Sequence, residues 1–410
     1  MIDKGLRALW ERVALAAALC MFALFAVQTV RAGPVCEAAE HGMKADASDN
    51  TAAFVKTLAE CAGETIHIAG GTYAFRPTGY AVGFRIPAAT TLLGDGSTAQ
   101  SATVLQVAAS GNYQGFLWIR NVSNVSVRSI RFEGSPYDSG CSRNLDYGHA
   151  IYIQSDAGES APVAGVDISD NLFRNFNGTS WVTFNAAPGS PGIGVDGQIT
   201  VSGNDFDSDA DIAGSCAAKI GMTYTADMVA LHGSDLSANG LVANVTIDSN
   251  TFNAGYVRGA IAIWSGTKHI DIVHNSIQGA GLRLPMYPDT ELGRYAILVY
   301  NSAHERPGLH PDGVRIVENT IANPVSCGIY VAVGRNLEIR GNRISGQTDR
   351  FDGTLPKGAI SLNHADSVLA LEGNVLSNNY IAISSVGSNV RMGVNEISVP
   401  PGGRSERIRP

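Results

Sequence analysis

Charge is scarce in this chain: Asp, Glu, Lys and Arg make up 16% of its 410 residues, and no run of Lys or Arg occurs. That composition is poor for a helical protein, and the lack of a basic stripe argues against nucleic acid as a partner. There is no C-x-x-C, no His-rich tract and no H-E-x-x-H, so the usual frames for a transition-metal centre are missing. Long apolar runs are missing too. The longest apolar-dominated stretch, fifteen positions from Val13 to Val27, is short for a membrane span.

That stretch follows Lys4, Arg7 and Arg12 and precedes V-R-A before Gly33, so residues 1–32 read as a secretory signal, with an uncleaved anchor as the alternative. Cleavage would subtract four basic and two acidic residues and leave 25 against 35, a net charge near −10. The expected location is extracytoplasmic, periplasmic or secreted, with no membrane contact after cleavage. Export allows disulfides: Cys36 and Cys61 flank a short helix and could staple it, Cys141 and Cys216 could pair, and Cys327 is left over.

What the chain has in abundance is one phrase: apolar, any, apolar, any, any, Asn, any, apolar. It stands as V-D-I-S-D-N-L-F at Asn171, I-T-V-S-G-N-D-F at Asn204, V-T-I-D-S-N-T-F at Asn250 and I-D-I-V-H-N-S-I at Asn275. Further copies centre on Asn319, Asn342, Asn374 and Asn395, and an earlier one, V-S-V-R-S-I-R-F, has Ile130 in the Asn slot. Alternation followed by an Asn or Gly-Asn step is a strand and a corner. Successive Asn residues lie 21 to 46 positions apart, and the shorter intervals hold one more strand, as in H-A-I-Y-I, M-V-A-L, A-I-A-I, A-I-L-V and G-I-Y-V. Two or three short strands per turn, without helices, make an all-β parallel solenoid whose stacked Asn amides bond from coil to coil. The expected boundaries are an amino-terminal cap at 33–75, a β-helix at 76–400 and a frayed tail at 401–410.

In the cap, Asp49 or Asn50 can start a helix with Phe54 and Leu58 on its apolar face. Gly42, Asp46, Asp49, Asn50, Thr51, Ala52 and Phe54, with Gly70, Gly71, Thr72 and Tyr73, resemble the amino-terminal signature of the pectate-lyase-like superfamily. The commonest form of that signature has two consecutive Asp residues where Asp49-Asn50 stands. The resemblance implies a single-stranded right-handed parallel β-helix with a short capping helix. Lyases, glycoside hydrolases, epimerases and tailspikes share that fold, so it does not fix the chemistry.

Chemistry must come from what the coils display. Aligning the second strands on Ile151, Val182, Val229, Ile261, Ile297, Ile329, Ile360 and Ile381 puts Gln154, Asn185, His232, Trp264, Tyr300, Ala332, Asn363 and Ser384 in one outer column. A second column holds His149, Ser180, Asp227, Gly259, Tyr295, Cys327, Gly358 and Asn379, flanked by Arg258, Arg294 and Lys357. In the middle coils these columns predict one patch of Asp227, His232, Arg258, Trp264, Arg294, Tyr295 and Tyr300. Aromatic faces beside hydrogen-bonding groups suit a polysaccharide, and arginines suit an acidic one.

For a lyase or epimerase, Arg258 or Arg294 neutralises the uronate, and Tyr295, His232 or an arginine is the base. His149, Trp264 and Tyr300 bind substrate. A hydrolase needs two carboxyl groups, for which Asp227 and Asp235, with Asp146 and Asp156, are the nearest candidates, but no adjacent Asp pair of the polygalacturonase kind occurs. A non-catalytic polysaccharide-binding protein would use the same columns. The bland reading makes Asp227–Arg258 a surface ion pair and covers Trp264 and Tyr300 with an insertion. Calcium is compatible with the resemblance, but no Asp cluster has calcium-loop spacing.

Overall fold

The computed structural model describes residues 34–76, 83–98, 100–107, 115–134, 149–174, 176, 180–208, 227–255, 257–280, 294–301, 306–347 and 357–409. The expectations on residues 1–32, Cys141, Cys216, Asp146 and the insertions after Asn204 and Asn275 fall outside these. Contacts divide the chain into Met1–Val35 and Cys36–Pro410, and the solenoid lies entirely in the second unit. Among the described residues no helix is long and apolar enough to cross a membrane.

Three strands per coil, repeated over eleven coils, build three sheets in which every neighbouring pair from Thr65–Ile68 onward is parallel. Sheet I takes the alternating half of each Asn phrase, for example Asp167–Ser169, Ile199–Ser202 and Val242–Asp248. Sheet II takes the short strand just after the Asn, such as Leu172–Arg174 and Asp205–Asp207. Sheet III takes the second strands, from Phe84–Arg85 and Gly115–Arg120 through Asp227–His232, Gly259–Ile263 and Tyr295–Val299 to Arg404–Arg409. The solenoid begins at Thr65–Ile68, earlier than the expected residue 76. The expected frayed tail at 401–410 is corrected as well: Arg404–Arg409 pairs with Ile381–Val386, because that strand would otherwise leave its ladder open.

The corner between sheets I and II is the same in the eight coils from Ser126–Arg128 to Val368–Glu372. Ser129, Asp170, Gly203, Ser249, His274, Glu318, Gly341 and Gly373, each just before the Asn slot, have φ between +54° and +67°. This left-handed step turns the chain inward and delivers the next side chain to the core. Each Asn then accepts, on Oδ1, both the backbone N–H and the side-chain N–H of the Asn one coil earlier, as Asn204 does from Asn171 at 3.0 Å each. Its own Nδ2 reaches a carbonyl of the previous coil, Asn204 to Ile168 at 2.9 Å. The ladder runs unbroken from Asn171 to Asn395, and Asn171 also receives the N–H of Ile130, so the Asn-less copy closes one end. Two residues beyond, sheet II points a second ladder into the core, with Phe132, Phe173, Phe206 and Phe252 stacked at 4.7–5.1 Å.

The cap carries one helix, α1 (Thr51–Glu60), with Phe54 and Leu58 buried. Asp49 accepts the N–H of Thr51 at 2.9 Å, while Asn50 spends its side chain on both backbone groups of Lys44. Cys36 and Cys61 form a disulfide, and Cys327 is buried. Beside the cap, His67 lies 2.7 Å from both Asp95 and Glu37. The hydrogen bond to Asp95 raises the imidazole from its ordinary 6.5, against partial burial, and Glu37 adds to the rise. Because the folded value is the higher one, the stability from His67 is complete below about 6.5 and is lost as pH rises through the raised value. Replacing His67 by Gln should therefore lower the melting temperature at pH 6 more than at pH 9. An equal loss at both would assign His67 a packing role alone.

Candidate functional site

Sheet III does not alternate strictly, and the exception creates its outer face. Ala150 and Ile151, Met228 and Val229, Ala260 and Ile261, and Ala296 and Ile297 are consecutive pairs that all lie in the main core. The ladder steps over the first of each pair, matching Asp227 with Gly259 and then Val229 with Ile261. Two inward residues in a row turn the position before them outward. Asp227 and Tyr295 therefore face away from the core. Tyr295 joins a separate cluster with Ala230, Ala262, Leu298, Cys327, Tyr330 and Ala332, against which Trp264 and Tyr300 pack.

Seven of the eight expected register positions pair as read, from Ile151 to Ile360. The eighth is corrected, because Ile360 pairs with Ile383 rather than Ile381. In I-A-I the second Ile takes the inward slot beside Ala382, and Ile381 takes the outer one. Ser384 consequently moves to the column of Ser361, and Asn379 bonds to Gln347 and Ile344 instead of facing out.

The expected single patch resolves into two clusters. Asp227 and His232 are five residues apart on one strand, at most about 17 Å at the usual rise. At the first end Asp227 is 2% exposed and Tyr295 0%. Asp227 Oδ1 accepts the Tyr295 hydroxyl at 2.9 Å, and Oδ2 accepts Arg258 Nη2 at 2.8 Å. Tyr295 reaches back two coils to do so, its ring lying across Gly259, where a β-carbon would sit 2.3 Å from Cε2. The guanidinium of Arg258, 17% exposed, lies 5.5 Å from the Tyr295 ring centre. This is a buried ion pair, not the surface pair of the bland reading. Burial and the Asp227 carboxylate raise the Tyr295 hydroxyl well above its ordinary 10, against Arg258, so it acts as a donor and is unsuited to be a base. Burial opposes the charge on Arg258, but Asp227 outweighs it and raises the guanidinium further. Gly259→Ala should cost about 1–3 kcal/mol by overpacking and displace the tyrosine. Thermal denaturation tests this, and an unchanged melting temperature would mean the ring has another place to go.

At the other end His232, Trp264 and Tyr300 are partly exposed and stack in succession, the first two nearly parallel at 5.2 Å and the second pair edge-on at 5.2 Å. Burial, then His149 and Arg258, lower His232 from 6.5 to about 4, so its imidazole is neutral at physiological pH. The indole N–H of Trp264 is buried and has no partner among the described residues. Between the clusters stand the small side chains of Ala230 and Ala262. Arg294, partly exposed, immediately precedes the strand that carries Tyr295.

His149, expected to bind substrate, is 5% exposed, bonded to the Ser180 carbonyl and to Thr183 Oγ1, and stacked on Tyr152. Burial lowers it to about 4 despite the Ser180 carbonyl. Its ring is a wall, not a contact surface. Sequence reading missed the column between the two it used: Trp118, Tyr152, Thr183 and Tyr330 all face outward, and Trp118 carries Arg120 at 4.6 Å and donates to Gln154 at 3.0 Å. The phrase G-F-L-W-I-R, one coil before H-A-I-Y-I, is the signal that would have found them.

No protein-family model matches this chain, and no curated protein matches it in sequence. Solved structures do match. A surface adhesin of Streptococcus pneumoniae is 12% identical with a TM-score of 0.54, over 92% of this chain and 90% of that one. The A-module of a mannuronan C-5 epimerase of Azotobacter vinelandii is 14% identical with a TM-score of 0.55, over 92% and 97%. An exopolygalacturonase of Thermotoga maritima is 10% identical with a TM-score of 0.54, over 89% and 88%. At these identities the similarity speaks for the fold, and three different activities on one backbone say the same. The chain has the right-handed parallel β-helix fold of the pectate-lyase-like proteins.

Proposed function

We propose that the chain is an exported carbohydrate-active protein that holds an acidic polysaccharide along the outer face of sheet III and acts on it as a lyase or C5-epimerase. The observation that carries this reading is the His232–Trp264–Tyr300 row: a neutral imidazole and two ring faces, partly open. A sugar ring offers an apolar face to stack and hydroxyls to pair with the polar groups beside it. His232 takes the proton beside the uronate carboxylate, while Arg258 and Arg294, at the other cluster, supply positive charge for further carboxylates of the same polymer. Return of a proton from the opposite face gives the epimer; departure of the linking oxygen gives the unsaturated sugar.

Hydrolysis is disfavoured by the carboxylate count. In the sheet III strands from Gly115–Arg120 to Ile381–Val386 the one acidic residue is Asp227, and Tyr295 and Arg258 already saturate it. The same saturation favours a second reading, in which the face binds polysaccharide without altering it.

The test is to incubate the protein with polygalacturonate, alginate and glycosaminoglycans. Ultraviolet absorbance reads unsaturated products, nuclear magnetic resonance reads inverted C5 centres, and a reducing-end assay reads hydrolysis. His232→Ala should lower kcat by about 10²–10⁴-fold. Full activity in that variant would remove His232 from the mechanism, reducing ends without absorbance would make the protein a hydrolase, and retention on polymer without products would make it a binding protein.

A further inference from the structure

Away from the groove, the cap gathers a second set of chemical groups. Strand Val35–Glu37 and the 3₁₀ turn Ala38–His41 present Cys36 and His41, and the end of α1 presents Glu60 and Cys61. One ligand atom from each of Cys36, His41 and Cys61 lies within 4.8 Å of the others. His41 Nε2 is 3.1 Å from Cys36 Sγ, and Nδ1 is 2.6 Å from Glu60 Oε2.

A carboxylate only accepts, so Glu60 holds a proton on Nδ1 and turns Nε2 toward the sulfurs. The arrangement has a purpose in the reduced chain. A tetrahedral ion at about 2.3 Å from sulfur and about 2.1 Å from nitrogen needs ligand atoms about 3.5–3.8 Å apart, and a histidine ligand whose other nitrogen is held by a carboxylate is the usual outer support of such a site. The Cα atoms of the two cysteines are 6.0 Å apart, which lets both sulfurs face one ion. Cys36 and Cys61 are buried and His41 is partly exposed, so entry is from the histidine side.

We infer that Cys36, Cys61 and His41 form a redox-gated site for a zinc-type divalent cation: closed as the disulfide, open as two thiolates and an imidazole, with Glu60 positioning His41. Opening needs a reductant. A water-soluble phosphine with one water takes the disulfide to two thiols and leaves as the phosphine oxide. Each thiol gives up its proton on binding, two per ion, and solvent supplies the fourth ligand. The ion and the disulfide are mutually exclusive ways of tying strand and turn to the end of α1.

The full chain, oxidised or phosphine-reduced and desalted without oxygen, should be titrated with Co²⁺, reading the thiolate-to-cobalt charge-transfer band and the visible bands of tetrahedral cobalt. One ion per chain, displaced by Zn²⁺, is expected in the reduced protein and none in the oxidised. Glu60→Gln should weaken binding about 10–100-fold, and His41→Ala at least as much. The proposal is overturned if the reduced wild type gives no more charge transfer than Cys36→Ser/Cys61→Ser, which controls for the other thiols, or if His41→Ala binds as tightly as wild type. If the double serine variant does not fold, His41→Ala and Glu60→Gln, which keep both cysteines, decide the question.

Discussion

Asp227→Ala should destabilise the middle of the solenoid by about 3–5 kcal/mol, far more than loss of a surface ion pair. The carboxylate is 2% exposed and is the acceptor for both Tyr295 and Arg258. Its removal strands a guanidinium with little access to water and a phenol without its acceptor. Adding Arg258→Met to Asp227→Ala should recover much of the loss, because the buried charge then disappears along with its partner. Denaturant unfolding of the two single variants and the double gives the coupling directly. A cost below about 1 kcal/mol for Asp227→Ala would return the pair to the class of exposed salt bridges. Combined with the polysaccharide assays, the experiment also separates a structural Asp227 from a chemical one: Asp227→Asn keeps the shape, so a variant that stays folded and loses turnover marks the charge as part of the reaction.

The second large effect belongs to the Asn ladder. Asn275 is 1% exposed, and its Oδ1 accepts the backbone N–H of Asn250 at 2.9 Å and the Asn250 side chain at 3.0 Å. Asn275→Ala orphans both donors inside the core, at about 1–3 kcal/mol each, and deprives the carbonyl of Ile247 as well. Asn395, at the far end and partly exposed, makes similar bonds where water can replace them, so Asn395→Ala should cost about 1 kcal/mol. Because each coil touches only its neighbours, the central variant should also split unfolding into two stages, which hydrogen exchange coil by coil would resolve. Equal costs at Asn275 and Asn395 would mean that the ladder contributes little beyond setting the corner.

The coil register was readable because two periodic signals agree: the inward apolar residues of sheet I and the Asn that follows them. Local chemistry specifies that corner, with a left-handed residue and an amide that has one partner above and one below. The site was readable only in part. Its residues stand in the expected columns, but the double inward step in sheet III depends on how three sheets close around a core, and no pair of neighbouring residues announces it. The reach of Tyr295 across Gly259 is equally silent, since it links residues 68 positions apart through a side chain that is absent. His149 misled because a histidine in an outer column looks like a ligand until the aromatic ring of Tyr152 is seen to cover it. The last strand misled for a different reason: R-S-E-R-I-R has the composition of a tail, and it is ordered by the vacancy beside Ile381–Val386 more than by its own preference.

That final strand has a consequence for the molecule among its own copies. A parallel coil stack has no natural stopping point, and its terminal ladder is a template on which another chain could grow. Here the last described strand carries Arg404 and Glu406, and the two strands before it in the same coil carry Arg391 and Glu396. Charged side chains along such an edge are a common means by which an open ladder is kept from pairing with a second copy.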